Sequence, residues 1–158
     1  MYSLSWRTKG YFKPLSRDSE PLPHVEFTFR CPKFRVWYVV LEALVDTGSP
    51  FTAISPRDAR RLQIPLSKLP RHSTIHSISF ASFSFTPRLL HGAELIFKDD
   101  EGKRHSLGCE PFYALEPTKW EEGVFRLPNV IGMDFIRKNK AFFIASPPTE
   151  VVLEFREY

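Results

Sequence analysis

Two short stretches hold the residues that could do chemistry. The first is Leu44-Val45-Asp46-Thr47-Gly48-Ser49, an apolar run that ends in a carboxylate, a hydroxyl and a glycine. The second is Val130-Ile131-Gly132-Met133-Asp134, again an apolar pair followed by glycine. A carboxylate delivered by a hydrophobic strand is costly to desolvate unless it is paired, hydrogen-bonded or protonated. Such a group shifts its pKa or finds a partner, which suits it to general acid and base work. Thr47 supplies a hydroxyl that donates and accepts. Gly48 admits backbone angles and close chain approach that a side chain would block.

Leu44 to Ser49, followed by Phe51-Thr52-Ala53-Ile54, resembles the active-site signature of retropepsin-like aspartic proteases. Pro128-Asn129-Val130-Ile131-Gly132-Met133-Asp134-Phe135-Ile136 is similar to that family's second motif, two apolar residues and a glycine leading into a short helix. The resemblance covers roughly residues 34 to 155. It implies a mostly-β, closed barrel of the acid-protease fold with one or two short helices, one lobe per chain. It implies Asp46, Thr47 and Gly48 as catalytic residues. Ser49, the flap residues Ser79, Phe80, Ala81 and Ser82, and Ile131 with Gly132 are the expected substrate-binding residues. The implied substrate is a peptide or unfolded chain, with no cofactor and no metal.

The chain holds a single Asp-Thr-Gly in 158 residues. One copy cannot supply two catalytic aspartates, so the resemblance implies a homodimer whose twofold axis brings Asp46 and its copy together. Two carboxylates at such range share one proton, and their titration belongs to the pair. Ser49 is expected to place a hydroxyl beside the carboxylate, stabilise its charged form and draw the pH optimum to the acid side.

The length suits one domain with a core of its own. Residues 24–158 are expected to form that domain. Residues 1–23, broken by Pro14, Pro21 and Pro23, are expected to be an irregular arm, a pro-segment or a dimer arm, whose aromatic Tyr2, Trp6, Tyr11 and Phe12 pack on the domain's own surface or on the partner subunit. Cys31 and Cys109 provide no disulfide framework and no zinc spacing, although one bridge stays open. Met1 to Lys13 lacks the apolar core of a signal peptide, and no run reaches membrane-span length. The expectation is a cytoplasmic protein. The net charge of +4 is mild and scattered, and its densest group, Arg57, Arg60, Arg61 and Lys68, reads as a solvated helix face rather than a nucleic-acid patch. His24, His72, His76, His91 and His105 are dispersed and carry no metal pattern.

Positioning elements follow from the patterning. His24–Arg30 alternates as a strand, and Phe34–Val45, apolar on both faces at its centre, reads as a strand buried in the middle of a sheet. Ser55-Pro56-Arg57-Asp58 reads as a helix start, with Ser55 as N-cap. Ser73–Phe85 alternates, but its phase slips at Ala81-Ser82, which marks a hairpin turn where the family's flap should lie. Leu89–Phe97 and Lys103–Leu115 read as strands joined by the turn Asp99-Asp100-Glu101-Gly102. Asp134 reads as a helix-start cap, with a short helix to Lys138. Ala141–Ala145 and Glu150–Phe155 close the chain as strands.

The flap departs from the family, because no glycine lies between Gly48 and Gly92. A stiffer or differently shaped flap leaves a second function open, a retropepsin-like domain that binds peptide or mediates assembly with little turnover.

Overall fold

Val25, Phe27, Phe29 and Cys31 alternate along one strand, and all four are buried. That strand, β3 (Pro21–Cys31), is the spine of the molecule. The computed structural model describes residues 4–157. In chain order the strands are β1 (Leu4–Lys9), β2 (Tyr11–Pro14), β3 (Pro21–Cys31), β4 (Val36–Val45) and β5 (Ala53–Ile54). After helix α1 (Pro56–Arg61) come β6 (Ile78–Phe80), β7 (Phe83–Leu89), β8 (Glu94–Lys98), β9 (Arg104–Gly108) and β10 (Tyr113–Pro117). β11 (Asn129–Ile131), helix α2 (Met133–Lys138), β12 (Ala141–Ser146) and β13 (Glu150–Glu157) complete the order. None of these helices is long and apolar enough to cross a membrane.

The strands form a large sheet in the order β6-β7-β10-β5-β11-β4-β3-β8-β9, with β2 also on β3, and a smaller sheet β1-β13-β12. The architecture is mostly β, and the two sheets do not close into a barrel. At the centre, β11 lies between β4 and β5, parallel to the first and antiparallel to the second. The chain therefore leaves β4, makes the Asp46 loop, passes through β5, and returns much later between the two. Both motifs meet at this crossing.

Residues 4–14 are not irregular. β1 pairs with β13 over six positions, from Leu4↔Glu157 to Lys9↔Val152, and β2 pairs with β3. Trp6 stacks between Phe155 and His105 at centroid distances of 4.1 and 3.8 Å. Prolines set the bend between strands without preventing them, because β2 and β3 begin or end on Pro14 and Pro21 at a sheet edge.

Three further expectations change. Leu89–Phe97 is two strands, since Gly92, at φ +79°, turns the chain between β7 and β8. Lys103–Leu115 is likewise two, β9 and β10, which serve different neighbours. β4 is central in the sheet, but its first half is not buried on both faces: Trp37 and Tyr38, which point to opposite faces, are exposed, as is Val40. The open question of a bridge also resolves. Cys31 and Cys109 are free and flank Ala93 from strands on either side of β8. That separates them by two strand spacings, roughly 10 Å, beyond disulfide reach.

Candidate active site

Asp46 is the first residue past β4. Its amide donates to Ile131 O at 3.0 Å, extending the β4–β11 ladder by one step, so the sheet itself fixes where the carboxylate emerges. The loop then folds on the carboxylate. Gly48 N donates to Asp46 Oδ1 at 2.9 Å, and Ser49 N donates to Asp46 O at 3.1 Å. Gly48 does not occupy the left-handed region; its use is closeness, since a Cβ there would lie 3.2 Å from Asp46 Oδ1. Asp46 Oδ2 has no hydrogen-bond partner among the described residues. Thr47 is exposed at the tip, and its hydroxyl has no partner among them either.

Ser49 does not sit as expected. Its hydroxyl donates to Phe51 O at 2.9 Å and accepts from Phe51 N, so it braces the loop rather than the carboxylate. The acid-side shift argued from it therefore loses its structural ground in this chain.

A clasp beneath the loop joins the two motifs. Thr52, buried, donates its hydroxyl to Asp134 Oδ1 at 2.6 Å and accepts from Gly132 N at 3.0 Å, while its own amide donates to Asp134 Oδ2. Asp134 is thus no simple helix cap. Gly132 holds the N-cap position of α2, and Asp134 binds the crossing chain and Phe135 N. Gly132 is required by crowding, because a Cβ would meet Phe51 O at 2.4 Å and Ser49 O at 2.7 Å. Met133 N also donates to Ser49 O at 2.8 Å. At the start of β11, Asn129 accepts from Ser55 N and donates to Glu42 O and the Asp58 carboxylate. Ser55 caps α1 through Asp58 N, as its position in the sequence implies. Thr52 and Asn129 were not singled out from sequence; both lie inside the quoted motifs, but their partners are more than 70 residues away.

Above the loop lies a cleft of about 340 Å³, lined by Asp46, Gly48 and Ser49 on one side and by Ile78, Ser79 and Phe80 of the β6–β7 hairpin on the other. Phe51, Leu115 and Val130 make its apolar walls. Of the expected binding residues, Ser49, Ser79 and Phe80 line this cleft. Ala81 and Ser82 form the exposed hairpin tip, Ile131 is buried in the core, and Gly132 packs under the loop. Tyr113, edge-on to Phe51 at 4.8 Å, has its hydroxyl pKa raised by burial and then by the Asp134 charge. Cys109, deeply buried, is pushed up to about 12, mainly by desolvation and then by Asp134, so it is no nucleophile at neutral pH. Among the described residues no group of three or more His, Cys, Asp or Glu is placed to hold a metal ion.

No family model and no curated protein matches the chain. Among solved structures it resembles a retropepsin-like aspartic protease from Rickettsia conorii, with a TM-score of 0.53 and 16% sequence identity, over 100% of this chain and 98% of that one. At this identity the likeness is one of fold. The chain has a mostly-β, retropepsin-like architecture.

Proposed function

We propose that the protein is an aspartic endopeptidase that acts as a homodimer, each subunit contributing one Asp46. The observation that carries this is the placement of a strand-end carboxylate, with one oxygen unengaged, in an apolar cleft beneath a hairpin. The full-length likeness in fold to a retropepsin-like protease supports it. In the dimer the two Asp46 groups share one proton. The ionised member takes a proton from a water held between them, and the protonated member donates to the scissile carbonyl. Water adds to the carbonyl carbon, and the tetrahedral intermediate collapses as the amine leaves with a proton. Thr47, exposed and unengaged within its own subunit, is free to brace the partner's loop. The apolar walls suit an uncharged side chain next to the cut bond. The two free thiols fit the cytoplasmic placement expected from sequence.

The test is cleavage of an unbiased peptide mixture from acid to neutral pH, wild type beside Asp46→Asn. Cleavage by the wild type alone supports the proposal. No cleavage by a folded, dimeric wild type favours the second reading, a peptide-binding relative. That reading draws on the hairpin tip, where Ala81 and Ser82 hold φ of 50° and 70° without a glycine.

A further inference from the structure

The cleft is not walled by the main core. Beneath the β6–β7 hairpin lies a separate apolar cluster built on Phe85, Tyr113, Leu115 and Val124, and the hairpin packs on it through Ile78, Phe80 and Phe83. Phe80 lines the cleft opposite Asp46, and its register partner across the turn is Phe83. Whatever fixes Phe83 therefore fixes Phe80.

The Phe83 ring rests on Gly123, in the 3₁₀ turn Glu122–Arg126. A Cβ at Gly123 would lie 2.6 Å from the ring's Cζ, with the two Cε atoms at 3.4 and 3.5 Å. Gly123 is outside the left-handed region, so its backbone does not demand glycine. The ring does. The turn is anchored in turn, because Val124 beside it is wholly buried in the same cluster.

We propose that Gly123 is a positioning residue for the cleft: it acts through Phe83 to set how low the hairpin lies over Asp46. β6 is a three-residue edge strand paired only with β7, whose ladder with β10 begins at Phe85, so the height of the hairpin's end is decided at this seat. A methyl group at position 123 lifts the Phe83 ring, and the paired strand carries Phe80 away from the loop. Because the blocking atom is the far end of a side chain, the hairpin moves and the fold stays.

The experiment compares wild type, Gly123→Ala, Phe83→Leu and the double variant in two readouts. The first is amide hydrogen exchange at residues 78–83 of the intact protein, which needs no turnover. Gly123→Ala speeds exchange there and leaves β3 and β4 unchanged; Phe83→Leu, losing the ring, does the same. In the double variant the shorter side chain clears the new methyl, so the two effects fall short of adding. The second readout rests on the peptidase proposal: Gly123→Ala raises KM for a peptide by about tenfold, with kcat moved less. Unchanged exchange at 78–83 in both single variants overturns the seat, and so does equal acceleration in every strand, which marks general destabilisation. If the wild type cleaves nothing, the peptidase proposal fails by itself and the exchange data alone decide on Gly123.

Discussion

Asp46 and Asp134 each sit beside a glycine turn at the end of a parallel strand, yet their surroundings assign them opposite work. Both oxygens of Asp134 are committed, to Thr52 and to Phe135 N, so it is a fastener. Asp46 engages one oxygen and keeps the other. Thr52 is the other half of the fastener, and Thr52→Val tests it with little change of volume. The valine leaves Gly132 N and one lone pair of Asp134 unsatisfied in a buried place, a loss of about 1–3 kcal/mol. We expect Tm to fall by several degrees in Thr52→Val and to recover in Thr52→Ser. A valine variant that melts with the wild type would remove the clasp from the account. Asp46 was legible because its whole logic is local: apolar strand, carboxylate, hydroxyl, glycine. Thr52 was not, because a lone threonine says nothing of a carboxylate 82 residues further on. Ser49 misled for a related reason. Proximity in sequence suggested a bond to Asp46, but the Phe51 backbone is nearer once the loop turns.

At the scale of elements, the β6–β7 hairpin turns through Ala81 and Ser82, both left-handed, joining Phe80 to Phe83 directly. Such a two-residue turn matches the twist of the strands but favours Asn and Gly, and an L-residue in that region costs about 1–2 kcal/mol. Ser82→Gly should relieve that strain. We expect slower exchange at residues 78–80 in this variant, and exchange as fast as wild type would show that the turn is not limiting. The phase slip that located this turn was readable because side-chain parity is a strong local signal. The breaks at Gly92 and before β10 are harder to read, since a lone glycine or proline also fits a bulge within one strand, and only the pairing shows that the flanking segments serve different neighbours. β1 is hidden for another reason: its partner β13 lies at the far end of the chain.

The attachment of the N-terminal strands also sets a pH dependence. Glu42 on β4 is held below the usual carboxylate range: burial acts to raise it, but hydrogen bonds from Lys13 and Tyr11 on β2 outweigh burial. A depressed carboxylate contributes stability that is present above its unfolded value, near 4.3, and is lost as pH falls through the lower folded value. Glu42→Gln should therefore reduce Tm at about pH 6 and matter progressively less below about pH 4. A constant difference across that window would mean that the carboxylate's charge is not what holds β2. Asp99 shifts in the same direction, chiefly through its bond to His105, which in turn carries Trp6 of β1. Two strands remote from the cleft are thus fastened by groups that weaken in acid.

For the whole molecule, the decisive fact is that a chain whose fold resembles a retropepsin-like protease along its length carries one Asp-Thr-Gly. If the reaction needs two Asp46 groups, activity is a property of pairs, and pairs can be mixed. Asp46→Asn keeps the side chain's size and its acceptor for Gly48 N, so it should fold and associate like the wild type. Equal amounts of the two chains, exchanged by dilution and reconcentration at fixed total protein, give about a quarter of dimers with two aspartates. Peptide cleavage should then stand at about a quarter of the all-wild-type rate, because a mixed pair lacks one of the two acids. Chains that work singly would leave about half. A value of one half, with subunit exchange verified by differently tagged copies, would show that one Asp46 is enough and would replace the shared-proton mechanism with a single general base.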